Sequence, residues 1–180
     1  MRTAVFCVGN RLMLDDGVGP AVYDELCSSY IMPDEVTLFD VGCMSLDHIS
    51  VVDDYDLIIT VDALDDTGGK PGTLYRFTPD DMARRSFGSQ SLHDLKLSDL
   101  FDSAALLGYV AEGVCLGMQV DNGSPAQATV GLTPAVYDSL GGLVDCVLAE
   151  LVHRGYSITL RADGSPIHEG YHHVLKPQNC

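Results

Sequence analysis

The stretch TAVFCVGNRLMLDDGVGPAVYDELCSSY, residues 3–30, decides how this chain is built. Residues 3–9 are an unbroken apolar run with the length and residue types of a buried strand. Residues 18–30 then place Val18, Ala21, Val22, Leu26 and Tyr30 on one helical face. A strand, a glycine-containing turn and a helix open a parallel α/β unit. A nucleotide-binding turn would need GxGxxG or GxxxxGK[ST]. Gly9, Gly17 and Gly19 are spaced too widely for that, and Asp15 and Asp16 put negative charge where a phosphate would approach.

The alternation continues downstream. Residues 35–42 read as a strand, 45–52 as a short helix capped by Ser45, and DLIITVDA (56–63) as a central strand ended by an aspartate. Strands are expected at 72–79 and 110–120, and helices at 92–109 and 131–156. In the last helix Thr133 is the expected cap, Pro134 suits the first position, and Gly141-Gly142 implies close packing against a neighbour. The fold expected is α/β, a three-layer sandwich whose mostly parallel, twisted sheet is flanked by helices on both faces. One domain should span residues 1–156, with residues 157–180 as a loosely ordered tail.

Composition narrows the function. With 26 acidic against 10 basic residues the formal charge is −16, which disfavours nucleic acid and anionic membrane and favours cations or basic partners. Cys7, Cys27, Cys43, Cys115, Cys146 and Cys180 form no CxxC pair, and several lie in apolar runs. They read as buried free thiols of a reducing compartment. No signal-peptide pattern or membrane-length apolar run is present in the sequence, so a cytoplasmic protein is expected.

In an open α/β sheet, ligands bind beyond the carboxyl ends of the strands. Of the two adjacent aspartates, one serves as a helix cap and the other is free to project over the sheet edge. Asp62 ends an apolar strand, where it is either a plain turn residue or a charge that meets a cation. His93 stands at the start of a predicted helix; taken alone, it reads as a surface or capping histidine. Taken together, two carboxylates and an imidazole on loops at one sheet edge make a three-ligand site with open positions, suited to zinc or nickel. The HExxH pair of helical zinc peptidases is missing.

CVGNRLMLDDGVGP, LFDVGC, IITVDALDDTGGKPGTLYRF, SLHDLKLSDL and VGLTPAVYDSL together resemble the nickel–iron hydrogenase maturation endopeptidases, in the family's order, over about residues 3–150. The resemblance implies an enzyme that makes a single cut to remove the C-terminal extension of a hydrogenase large-subunit precursor after nickel insertion. It implies that Asp16, Asp62 and His93 contact the metal, with Asp16 at a position where relatives carry Glu or Asp. Asp40, in LFDVGC, matches a further acidic position near the cleft and joins those three as a catalytic candidate, although Val41 interrupts the two glycines that usually follow. Nickel arrives with the substrate, and zinc or another divalent ion could occupy the site in isolation. The partner implied is the precursor itself, met by a monomeric protease.

The chemistry has two open forms. The cation polarises the scissile carbonyl or acidifies a bound water, or else Asp16 or Asp62 acts as general base. A zinc hydrolase of small peptides and a non-catalytic nickel chaperone would share the same corners.

Overall fold

The computed structural model describes residues 1–42, 49–78, 81, 106, 108 and 110–175. His93, Ser45 and the helix expected at 92–109 lie outside these, apart from isolated positions in that helix. The described elements are β1 (Thr3–Val8), α1 (Val18–Ser29), β2 (Tyr30–Ile31), β3 (Val36–Gly42), α2 (Ile49–Val52), β4 (Leu57–Leu64), β5 (Leu74–Phe77), β6 (Glu112–Gln119), α3 (Pro134–His153) and β7 (Thr159–Leu160).

Five strands form one sheet in the order β3-β1-β4-β6-β5. β1 is parallel to β3 and β4, β4 is parallel to β6, and only the edge strand β5 is antiparallel. Every residue of β1 is buried, as expected for a central strand with a neighbour on either side. From β1 the chain crosses to β3 on one flank, then returns to β4 on the other. The strand order therefore reverses between β1 and β4, and the crevice beyond their carboxyl ends is where an open sheet takes its ligand.

Alternation along the strands feeds two apolar layers. Val5, Cys7, Leu57, Ile59 and Val61 face α1 and α3, meeting Val18, Val22 and Leu26 of the first helix and Leu140, Leu143, Val147 and Leu151 of the second. The spacings of four, and of three and four, are those of a helix burying one stripe. Ala4, Phe6, Ile58 and Cys115 face the other way, onto Val52 and Tyr55. Phe39 stands edge-on between Phe6 and Tyr55, at centroid distances of 5.4 and 6.0 Å. The three-layer α/β sandwich is the fold the sequence implied. Cys7 and Cys115 are buried and Cys27 and Cys146 half-buried, all four as free thiols.

Two expectations are corrected. Thr133 makes no side-chain cap on α3; its hydroxyl is drawn to Asp15 instead. Residues 157–175 are not a loose tail. β7 pairs antiparallel with β2, Ile158 is fully buried, and the Tyr156 hydroxyl lies 2.7 Å from Thr3 Oγ1. Further on, His173 is buried, with Nδ1 2.7 Å from the Tyr30 hydroxyl and Nε2 2.9 Å from Glu25 Oε2. Polar contacts of this kind dock a segment without any apolar periodicity to announce it. The glycine pair in α3 does mark close packing: a Cβ on Gly142 would lie 3.1 Å from Leu74 Cδ1, and one on Gly141 3.4 Å from the His173 carbonyl oxygen.

Candidate active site at the carboxyl edge of the sheet

Two glycines seat the turn after β1. Gly9 has φ +136°, and a Cβ there would fall 1.8 Å from the Asp16 carbonyl oxygen. A Cβ on Gly19 would fall 2.0 Å from the Val8 carbonyl oxygen and 2.9 Å from that of Val61. The first turn of α1 thus rests on the ends of both β1 and β4, and only glycine permits that approach. The spacing that failed as a nucleotide fingerprint is the spacing that closes this turn. Leu14 (φ +50°) opens a 3-10 turn, Leu14–Gly17, that carries both aspartates and packs against β4.

The two aspartates have separate tasks. Asp15 is fully buried. Its carboxylate accepts the N–H groups of Asp121 (3.2 Å), Asn122 (3.0 Å) and Thr133 (2.6 Å), and the Thr133 hydroxyl (2.9 Å). The anion therefore holds the start of α3, where the helix dipole favours it. Asp16 is half-buried, and its Oδ2 accepts the N–H of Asn10 at 2.8 Å. Successive residues of a 3-10 turn point about 120° apart, so when one enters the core its neighbour leaves it.

Asp62 lies in β4, in register with Gly117 of β6, and its Oδ1 accepts the N–H of Ala63 at 2.8 Å. Strand alternation puts its side chain on the Phe6–Cys115 face. Burial first, and then the charge of Asp62, push the Cys115 thiol well above its ordinary range. Beneath Asp62 on the same face, the buried Thr60 hydroxyl finds no hydrogen-bond partner among the described residues. The loop that follows β4 is ordered through Thr67, whose N–H reaches Gln119 Oε1 at 2.9 Å and whose hydroxyl bonds both Gln119 and Tyr75.

Asp40 belongs to a different group. It pairs in register with Cys7, and alternation places it on the α1 face, opposite to Asp62. Arg11, which the sequence reading passed over, donates to Asp40 Oδ2 (2.8 Å) and to Asp24 Oδ1 (3.0 Å). These bonds hold the guanidinium more firmly protonated than usual. The signal was an arginine in a chain with few basic residues, followed closely by Asp15, Asp16 and Asp24.

The structure thus brings Asp16 and Asp62 to the point where strand order reverses and sets Asp40 to one side. His93, the third expected corner, lies outside the described residues, and among those described no three His, Cys, Asp or Glu are grouped to hold a metal ion. His172 and His173 diverge: the first is exposed beside Asp145, the second buried against Glu25. Among the described residues no helix is long and apolar enough to cross a membrane.

Known proteins share this fold. The solved structure of the hydrogenase maturating endopeptidase HybD from Escherichia coli superposes with a TM-score of 0.79 at 27% identity, covering 91% of this chain and 99% of that one. The hydrogenase expression/formation protein HupD of Bradyrhizobium diazoefficiens is 31% identical over 89% of this chain and 83% of its own length. The hydrogenase 2 maturation protease of E. coli K12 is 28% identical over 86% and 93% respectively. Fold and likeness define the class: a hydrolase, and specifically an endopeptidase. A family model described as hydrogenase maturation protease (HycI) matches residues 20–150, and the chain belongs to that family.

Proposed function

We propose that this endopeptidase removes the C-terminal extension of a nickel–iron hydrogenase large-subunit precursor once nickel has been inserted. The observation that supports this most directly is the placement of two half-buried carboxylates, Asp16 after β1 and Asp62 in β4, at the edge where the strand order reverses. Hard oxygen donors with an imidazole from His93 fit a divalent transition ion, and an incomplete donor set leaves room for a ligand borne by the substrate. The nickel belongs to the precursor, so cleavage reports that insertion is complete. Zinc or another divalent ion could take the same donors when the protease is isolated. One of the two aspartates serves as general base unless the ion itself acidifies the attacking water. Asp40, committed to Arg11, shapes the rim beside this chemistry.

The protease acts as a monomer in the cytoplasm on this reading, and its free thiols fit a reducing compartment. Intact-mass analysis of a cognate precursor, with and without nickel, tests the proposal. Loss of one C-terminal peptide is expected only with nickel, and not with Asp16→Asn, Asp62→Asn or His93→Ala. A nickel-loaded cognate precursor left whole by the wild-type protein sinks the reading; cleavage of short peptides or stoichiometric nickel uptake would then identify a small-substrate hydrolase or a metal chaperone.

A further inference from the structure

Residues 120–133, between β6 and α3, form a long connection with no regular secondary structure, and most of it is exposed. Such loops in small domains usually carry function. This one is not slack. Asp15 anchors it through Asp121, Asn122 and Thr133. Midway, Thr129 N–H donates to the Leu12 carbonyl at 2.8 Å, and Leu14 N–H donates to the Thr129 carbonyl at 2.7 Å. The result is a parallel bridge between Met13 and Thr129, with Leu12 on one chain and Val130 on the other, each one residue from the bridge.

Both side chains stand in water: Leu12 is 55% exposed and Val130 77% exposed. Single exposed apolar residues are ordinary. Here two, remote in sequence, flank one parallel bridge, Leu12 a residue before it and Val130 a residue after it, on segments tied by a buried carboxylate, and Leu12 lies four positions before Asp16. The charged neighbour Arg11 is already committed to Asp24 and Asp40. Among the described residues, Leu12 and Val130 are the large apolar side chains exposed beside the turn that carries Asp16.

We propose that Leu12 and Val130 form an apolar docking contact for the hydrogenase large-subunit precursor at the rim of the active site; this rests on the function proposed above. The scissile bond must reach Asp16 and Asp62, so the precursor surface must pass beside Leu12. The matching patch is apolar with basic flanks, complementary to a chain of net charge −16.

The test compares wild type, Leu12→Ser/Val130→Ser and Leu12→Met/Val130→Ile. Precursor affinity is read by biolayer interferometry and cleavage by intact mass, both with nickel-loaded precursor, and circular dichroism checks folding. The serine variant should raise Kd and KM about tenfold or more while kcat at saturating precursor is kept. The apolar variant should match wild type. Should the double serine variant fail to fold, Val130→Ser alone, at a residue 77% exposed, repeats the measurement. Unchanged Kd and KM in the serine variant, with wild type active, overturns the docking contact alone. A wild-type protein that neither binds nor cuts the loaded precursor overturns the functional reading and the contact with it.

Discussion

Asp15 and Thr133, 118 positions apart, are joined by two hydrogen bonds, from the Thr133 N–H to Oδ1 at 2.6 Å and from its hydroxyl to Oδ2 at 2.9 Å. One carboxylate thereby ties the turn after β1 to the start of the last long helix. Replacing Asp15 by alanine removes the acceptor of four part-buried hydrogen bonds, so the variant should lose about 3 kcal/mol of stability. Urea unfolding of Asp15→Ala and wild type measures this. A difference below about 0.5 kcal/mol would mean that water substitutes for the carboxylate without cost.

Thr60 offers the opposite case. Its hydroxyl is buried without a partner among the described residues, and such a group typically costs about 1–3 kcal/mol. Thr60→Val keeps the shape and removes the polar atom, so the urea midpoint should rise by the equivalent of about 1 kcal/mol. A fall in the midpoint would show that the hydroxyl is satisfied in solution.

Acid sensitivity should trace to Glu150. Burial works against its ionisation, yet hydrogen bonds from Arg76 and Arg154 outweigh that and hold its pKa below the usual glutamate range. A folded-state pKa depressed in this way contributes stability above the unfolded-state value, and that stability is lost as pH falls through the folded-state value. Urea midpoints followed from pH 6 down to about pH 3 should decline in wild type more steeply than in Glu150→Gln. Parallel curves for the two proteins would remove Glu150 from the account.

Much of the fold was legible because apolar periodicity governs it. β1 and β4 read as continuous apolar runs since both are flanked by strands, and Val18, Val22 and Leu26 repeat at helical spacing because one stripe is buried. The site was legible in part. A pair of aspartates in a turn signals that one carboxylate is available, but adjacency hides which one enters the core. Asp40 and Asp62 both lie near the carboxyl ends of their strands, two residues before the last, yet they fall on opposite faces, a distinction that depends on a register no local pattern reveals. Arg11 and the docking of residues 157–175 escaped because both rest on polar contacts between distant segments: Arg11 with Asp40, and His173 with Glu25 and Tyr30.

The central place of β1 has a consequence for how the protein is made. Its neighbours β3 and β4 leave the ribosome after it, and the groups that bind Asp15 follow only at residues 121–133. An emerging chain therefore carries an unpaired apolar strand, and a hydrated carboxylate whose native partners are not yet made, through most of translation. Folding must wait for pairings between distant segments, which makes it slow and leaves the nascent chain in need of protection from aggregation.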